Sequence, residues 1–473
     1  MLPAVASPLV LVLALWGLVL PAGAEDVKEG FLEDELSLLQ QSHRVRAPNA
    51  QAAGGGATSD LEIPPAIRQG RRILAKPMSH RNATVPTIVV DLDVAPELRW
   101  RNVTRHYRDL GIFPDCCSFG PVEIALLKPL LASIPLADEY RRELEGIVAD
   151  IGHPGVTVES LFTINLGYEF SGRVDGPLKI MEVAAKLASQ NVMQATSQAG
   201  GPLGVLDKIA SAMAVGSVPR KSHGCSAVLA AMPDGTVVHG RNMDYADWEL
   251  TINGTNLHWP EVTIDVLFTK AGKPFIVSAH WPGQTGLHTA MRFGGWSFQQ
   301  NTRFHSLTTD VLYALLRHSD GFQFRSRRIM ETTPDFETAV QKMYNTDMMA
   351  PQYFIMAGAK PYQGAVLSMD RGGRHLPGTP PLMRLGNASA GKRLGTSWYL
   401  VQTNDDMFEQ PRDHRRPDQE LRLSTATQSM VSTEWMWKEM LGLALYMEDT
   451  VFTSVYVPAT GYHETLAHPG QFR

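Results

Sequence analysis

The sequence predicts an α+β fold in which helices cover β-sheets. Three observations carry that reading. Short apolar runs of strand length recur along the chain, alternating cleanly at Val262–Phe268 and reading as core strands at Tyr353–Ala357, Ala365–Met369, Trp398–Thr403 and Phe452–Val457. Between them lie stretches with apolar residues at helical spacing, at Pro121–Ser133, Ala137–Ile151, Thr308–Arg317, Phe336–Met343 and Ser424–Tyr446. At 473 residues the chain is long enough to bury a sizeable core in one large or two modest domains.

Taken in order, the chain opens on an apolar run, Leu9–Leu20, followed by Ala22-Gly-Ala24. That is short for a membrane span and has the small-x-small ending of a cleaved signal, so residues 1–24 read as a signal peptide. Residues 25–84 read as a flexible extension: a charged, helix-compatible piece runs into the Gly/Ala-rich segment 47–58, then a basic cluster, Arg68-Gln-Gly-Arg-Arg72. N-x-S/T sequons begin at Asn82, Asn102, Asn253 and Asn387, and with a signal they mark glycosylation in the secretory pathway.

Order is expected from Val85. Pro86–Asp93 alternates like a strand. Ile180–Val192 and Leu203–Ala214 read as amphipathic helices within a helical segment of about 170–224. A β-hairpin follows: Ala227–Met232 is a strand, Pro233-Asp-Gly235 turns it, and Thr236–His239 returns. The hairpin brings Arg241 and Asp244 back beside Cys225, so that a thiol, a guanidinium and a carboxylate share one strand end. Val262–Phe268 turns at Ala271-Gly272 and returns as Pro274–Ala279; Phe452–Val457 is expected as the last strand.

Composition narrows the function. A net charge of −5 without a basic stripe gives no case for nucleic acid. The histidines lack metal-ligand spacing, and no glycine-rich phosphate loop is present, so neither a metal nor another cofactor is expected. Three cysteines, Cys116, Cys117 and Cys225, cannot build a disulfide framework. The adjacent pair is expected to stay unpaired, because so short a link strains the bridge.

Cys225 followed by His239-Gly-Arg-Asn-Met-Asp-Tyr245 resembles the acid ceramidase and N-acylethanolamine acid amidase family, N-terminal-nucleophile hydrolases related to penicillin V acylase and bile salt hydrolase. Further similarity lies in Pro96-Glu-Leu-Arg-Trp100 with Arg105-His-Tyr107, in Asn165-Leu-Gly-Tyr-Glu169, in Gly286–Phe304 ending Asn301-Thr-Arg-Phe304, and in Val401-Gln-Thr-Asn404. The resemblance covers roughly 85–459. It implies a four-layer αββα sandwich with an added helical N-terminal part, self-cleavage between Gly224 and Cys225, a region 85–224 that becomes one chain, and a catalytic region 225–473 that becomes the other.

The resemblance also implies roles. Cys225 is the nucleophile and its freed α-amine the proton acceptor. Arg241 holds Asp244 and favours the thiolate, and Asp244 orients the amine. Asn404 supplies the oxyanion contact, Arg415 matches a loop arginine, and Tyr245 and Glu169 line the substrate. The implied activity is hydrolysis of the amide of ceramide or an N-acylethanolamine through a thioester, in the lysosome or outside the cell. The implied partners are a lipid substrate, a lysosomal membrane surface or lipid-presenting protein, and an α/β heterodimer from one precursor. The chain departs from the family pattern in the length of 170–224, at Asp405 and Phe408, and in a shortened Asp413-His-Arg-Arg416 loop. A non-catalytic lipid-binding relative and a hydrolase of N-acyl amino acids or bile-acid conjugates remain the alternatives.

Overall fold

The computed structural model describes residues 83–121, 124–125, 128, 131–132, 134–170, 224–245, 249–252, 254–304, 318–370, 379–386 and 398–469. The expected signal, the extension as far as residue 82, residues 171–223 of the expected helical segment 170–224 and helix Thr308–Arg317 lie outside the described residues; residues 83–84, expected to be part of the flexible extension, instead pair as a strand with Leu466 and Ala467.

The amino-terminal part supplies two short strands, β1 (Ala83–Thr84) and β2 (Thr87–Asp91), and helices α1 (Arg101–Asp109), α2 (Asp138–Ile151) and α3 (Val158–Asn165). Asp138 and Glu139 sit in the first turn of α2, where the helix dipole favours them, and Gly152 closes it at φ +66°. Thr157 and Ser160 form a reciprocal capping box at the start of α3. The stretch 121–132 is helical at five of its described residues, 121, 124, 125, 128 and 131.

After the undescribed segment come β3 (Ser226–Ala231), β4 (Val237–Asp244), the small hairpin β5 (Glu249–Ile252) and β6 (Thr255–His258), then β7 (Ile264–Lys270), β8 (Lys273–His280), β9 (Thr289–Arg292) and β10 (Trp296–Thr302). Helices α4 (Phe322–Thr332) and α5 (Phe336–Tyr344) precede β11 (Gln352–Gly358), β12 (Gly364–Met369), β13 (Met383–Arg384) and β14 (Tyr399–Gln402). Helices α6 (Arg415–Ser424) and α7 (Thr433–Met440) lead to β15 (Thr450–Val457) and β16 (Tyr462–Ala467).

Two sheets organise these strands. The first runs β1-β16-β15-β4-β3-β14 and the second β13-β12-β11-β10-β9-β8-β7-β2. Alternation along β3 sorts its side chains. Val228 and Ala230 face outward onto Leu423, Trp435, Met436 and Met440 of α6 and α7. Ala227 and Leu229 face inward onto Tyr353, Ile355 and Val366 of the second sheet. The outer face of that sheet packs under α2 to α5 through Phe298, Phe354, Leu144, Phe324 and Phe336. Helices, sheet, sheet and helices thus form the four layers expected.

Several expectations need correction. Phe452–Val457 is not the last strand, since β16 follows it at the sheet. The region 424–446 is helical only over α7 and a short 3₁₀ turn, Gln428–Met430, and the chain turns after Met440 with Gly442 close behind. Helices α1, α4 and α6 were not anticipated; α1 and α6 are rich in arginine and carry few apolar residues. Cys116 and Cys117 are joined in a vicinal disulfide rather than left unpaired. Both cysteines lie in the 3₁₀ turn Asp115–Cys117, a local structure that adjacency in sequence does not reveal.

Two buried charge sites hold the layers. Glu143 of α2, fully buried, accepts from Arg327 Nη2 of α4 at 2.7 Å, from Arg99 Nη1 at 2.9 Å and from the Trp100 indole at 2.8 Å. Its two oxygens are thereby saturated, the condition under which a buried carboxylate is tolerable. Asp265 of β7 is different. Its Oδ1 has no hydrogen-bond partner, and burial pushes the carboxyl up to about 7, against a lowering contact from Thr465.

The pH consequence follows from the sign. Folded Asp265 holds its proton to a higher pH than the unfolded chain does, so stability is full in acid and is lost as pH rises from about 4 to 7. Asp265→Asn is expected to stabilise the protein by on the order of a few kcal/mol at pH 8 and to change it little at pH 4. Urea unfolding at the two pH values checks this.

Candidate active site

The site is built where β3 begins. Register pairs Ser226 with Asn242 and Ala227 with Arg241, so Cys225 lies beside Met243, and Gly224 beside Asp244. The hairpin therefore brings Cys225, Arg241 and Asp244 to one strand end, as the sequence suggested. Cys225 is a free thiol and 2% exposed, with Sγ 3.7 Å from Met243 Sδ. The chain runs continuously through Gly224–Cys225.

Arg241 does not hold Asp244. The two are three residues apart on a strand, so their side chains leave opposite faces of the sheet. Arg241 points inward, donating to Gln300 O at 2.9 Å and to Met243 Sδ at 3.1 Å, with its guanidinium carbon 5.7 Å from the Phe452 ring centroid.

Arg415, the first residue of α6, takes the place expected of Arg241. It is 1% exposed. Its Nη1 lies 3.1 Å from Asp244 Oδ2, 3.0 Å from Gly224 O and 3.2 Å from Cys225 O. Its Nη2 donates to Asn404 Oδ1 at 3.1 Å and to Asp413 Oδ2 at 2.9 Å. Asp244 also accepts from Thr450 Oγ1 at 2.7 Å. Burial pushes the Asp413 carboxyl up, but the charge and hydrogen bonds of Arg415 outweigh it and hold the group below the usual carboxylate range.

Asn404 completes this group. Its Nδ2 donates to Thr302 O at 2.7 Å, and its amide lies directly against the Gly224 Cα. Any Cβ at position 224 would collide with that amide, and Gly224 also holds φ +81°, so both space and backbone call for glycine.

The thiol itself is not activated in this chain. Burial pushes the Cys225 thiol up, more than the Arg241 and Arg415 cations and a backbone hydrogen bond from Asp244 pull it down. The Arg241 cation pulls toward the thiolate, and burial outweighs that pull.

Tyr245 packs in an aromatic group beside the thiol, its ring 5.6 Å from Tyr168, 5.5 Å from Trp281 and 5.8 Å from Trp259. The Tyr168 hydroxyl approaches Met243 Sδ at 3.6 Å. Glu169 plays a structural part, because its Oε1 accepts the Phe322 N–H at 2.6 Å and so caps α4. Of the sequon residues, Asn102 is exposed on α1; Asn82, Asn253 and Asn387 lie outside the described residues. No group of three or more His, Cys, Asp or Glu among the described residues could hold a metal ion.

Sequence reasoning missed the supports. Asn301 Nδ2 donates to Gln402 O, Thr403 O and Cys225 O at 3.1–3.3 Å, fastening β10 to both strands of the site. Arg303 grips Asp406 through Nε at 2.8 Å and Nη2 at 2.6 Å, and Asp370 through Nη1 at 2.6 Å. Tyr353 donates to Asp406 at 2.5 Å. The signal was in the stretch ending Asn301-Thr-Arg-Phe304, whose polar residues recur at the spacing of one strand face.

An αββα sandwich with a buried cysteine at the start of a strand is the fold of the N-terminal-nucleophile hydrolases. Within that class the chain is similar to the acid ceramidase and N-acylethanolamine acid amidase family. An N-acylethanolamine-hydrolyzing acid amidase of Rattus norvegicus is 27% identical over 376 residues, 79% of this chain and 85% of that protein. The acid ceramidase of Homo sapiens is 27% identical over 253 residues, 51% of this chain and 61% of that protein. The match thus spans somewhat under two thirds of the acid ceramidase. A solved structure of a Caenorhabditis elegans N-acylethanolamine-hydrolyzing acid amidase ortholog matches with a TM-score of 0.43 and 24% identity, over 52% of this chain and all of that one. No protein-family model matches the chain.

The vicinal disulfide leaves Cys225 as the one thiol of three cysteines. The uncut native protein is expected to react with iodoacetamide at pH 8 at least about tenfold more slowly than free cysteine. In denaturant without reductant it should then release one thiol per chain, counted with a chromogenic disulfide reagent.

Proposed function

We propose that the chain is the precursor of a cysteine hydrolase of N-acyl lipid amides, and that it first cuts its own Gly224–Cys225 bond. The observation that carries the proposal is the Arg415 guanidinium, 3.0 Å from the carbonyl oxygen of that bond and 3.1 Å from Asp244. Arg415 offers a cation where negative charge develops when Cys225 Sγ adds to the Gly224 carbonyl carbon. The C–N bond then breaks, the thiol proton passes to the departing nitrogen, and a thioester joins Gly224 to Sγ. Water hydrolyses the thioester, leaving Gly224 as a carboxylate and Cys225 as a new amino terminus.

The freed α-amine, titrating near ~8 before any perturbation, lies within reach of its own thiol and serves as its base. Asp244, already held by Arg415 and Thr450, orients that amine. Departure of Gly224 opens the space against the Asn404 amide to the acyl carbonyl of a substrate. Cys225 attacks that carbonyl, the amine half leaves with the proton, and water releases the fatty acid. Arg241 acts through its charge and through Met243 rather than through Asp244.

Relatives named for ceramide and N-acylethanolamine hydrolysis support an N-acyl lipid as substrate. The same reading gives two chains held in one heterodimer, glycosylation, a lipid or membrane-surface partner, and a lysosomal or secreted location. An acid compartment agrees with the pH behaviour set by Asp265.

Mature protein should run as two chains on a reducing gel, the second beginning Cys-Ser-Ala-Val. Cys225→Ala and Gly224→Ala should both remain uncut and inactive. Asn404→Ala, measured on material that has cut itself, should lower kcat by about 10²–10³ with KM changed much less. Full activity in a single uncut chain would overturn the mechanism. A single chain that binds N-acyl lipids without hydrolysing them would instead identify a non-catalytic relative.

A further inference from the structure

The two cysteines that the site does not use are joined to each other. They are unequally placed. Cys117 is 1% exposed, whereas Cys116 is only partly buried and packs at the rim of the main core. Backbone hydrogen bonds hold the turn that carries them: the Cys116 N–H donates to Ile112 O at 3.1 Å and the Cys117 N–H to Pro114 O at 3.0 Å.

Cys117 presses on the loop between β8 and β9. A Cβ built at Gly283 would lie 2.9 Å from Cys117 Sγ and 3.4 Å from side-chain carbons of Leu161 and Ile164 of α3. Gly283 also holds φ +75°, so both the backbone and the sulfur keep this position for glycine. The same loop hangs from α3. Asn165, the last residue of that helix, donates from Nδ2 to Gly283 O at 2.9 Å. Its Oδ1 accepts the N–H groups of Thr285 at 2.8 Å and Gly286 at 2.9 Å.

The start of the loop walls the surroundings of the thiol. The Trp281 ring is 4.5 Å from Trp259, 5.2 Å from His288 and 5.5 Å from Tyr245. Tyr245 packs on Tyr168, whose hydroxyl reaches Met243 beside Cys225 Sγ. Close-packed interiors pass a displacement on rather than absorb it. The bridge, the loop and the aromatic group are therefore one mechanical unit, running from the protein's rim to its nucleophile.

We propose that the Cys116–Cys117 bridge is a reversible thiol-exchange site for a dithiol, and that its reduction shifts the loop 281–286 and loosens the packing around Cys225. The exchange balances. A thiolate of the dithiol attacks Cys116 Sγ, on the less buried residue; the S–S electron pair leaves with Cys117 Sγ, which takes a proton. The second thiol of the reagent then attacks the mixed disulfide and releases Cys116 Sγ, which takes a proton in turn. The protein gains two electrons and two protons, and the dithiol becomes a cyclic disulfide. The freed sulfurs must then move apart, and each carries a hydrogen. Cys117 has no room toward Gly283, so added volume there displaces the loop, as overpacking does in any filled core.

The test does not depend on the reaction catalysed. The full chain, as isolated, is treated with millimolar dithiothreitol without denaturant and desalted. It is then alkylated with iodoacetamide at pH 8, with each cysteine followed by peptide mass. Before reduction only Cys225 should take the label in denaturant; after it, all three cysteines should. Reduction should speed native alkylation of Cys225 at least about fivefold, and oxidised glutathione should reverse the gain. Cys116→Ala/Cys117→Ala should show no response of Cys225 to dithiothreitol. A bridge that stays intact in native protein under dithiothreitol would overturn the exchange site. Reduction with the Cys225 rate unchanged would show that Cys116 swings aside freely, and would overturn the coupling. A response that persists in the double alanine variant would trace the effect to another group and overturn the assignment to this bridge.

Discussion

The site depends on one guanidinium. Arg415 touches the carbonyls on both sides of Cys225, both neighbouring carboxylates and the Asn404 amide. Each partner comes from a different part of the chain: the start of β3, the end of β4, the loop after β14 and the loop before α6. Only a planar fork with five donors can meet so many acceptors at once, and a lysine ammonium could not. The charge is tolerable inside the protein because two carboxylates and several carbonyls compensate it. Arg415 therefore fixes the conformation of the bond ahead of Cys225 as well as its electrostatics.

A polar seam between the sheets supports that arrangement. His239 bonds Ser297 and Gln299, Gln299 bonds Ser226 O, and Asn301 reaches three carbonyls across the gap. Sheet-on-sheet interfaces are usually filled by interdigitating apolar side chains. Here the apolar part, Leu229, Ile355 and Val366, lies toward one end, and the polar part surrounds the thiol. Hydrogen bonds are directional where apolar contacts are not, so the seam sets the offset of β3 against β10 more closely than packing alone would.

Much of this was legible in the sequence where local rules decide. The turn Pro233-Asp-Gly235 and the alternation on either side set the hairpin and its register. Asp138, Gly152 and the apolar spacing between them set α2. The errors have physical causes. The resemblance implied that Arg241 holds Asp244, although an odd spacing on a strand sends their side chains to opposite faces. Helix α6 carries few apolar residues, and its buried anchors, Arg415 and Gln419, are polar, so periodicity did not reveal it. The roles of Arg303 and Asn301 depend on partners some 100 residues away, which no local pattern encodes.

The position of β1 and β2 has a further consequence. One closes an edge of the first sheet and the other an edge of the second, and both belong to the stretch ahead of Cys225. In a continuous chain these strands return to their edges after unfolding by an intramolecular step. If the bond before Cys225 is cut as proposed, the same return would become a meeting of two molecules, with a rate that depends on concentration. The separated larger piece would also present two bare strand edges, which are templates for aggregation. Maturation would thus exchange reversible folding for persistence governed by the height of the unfolding barrier.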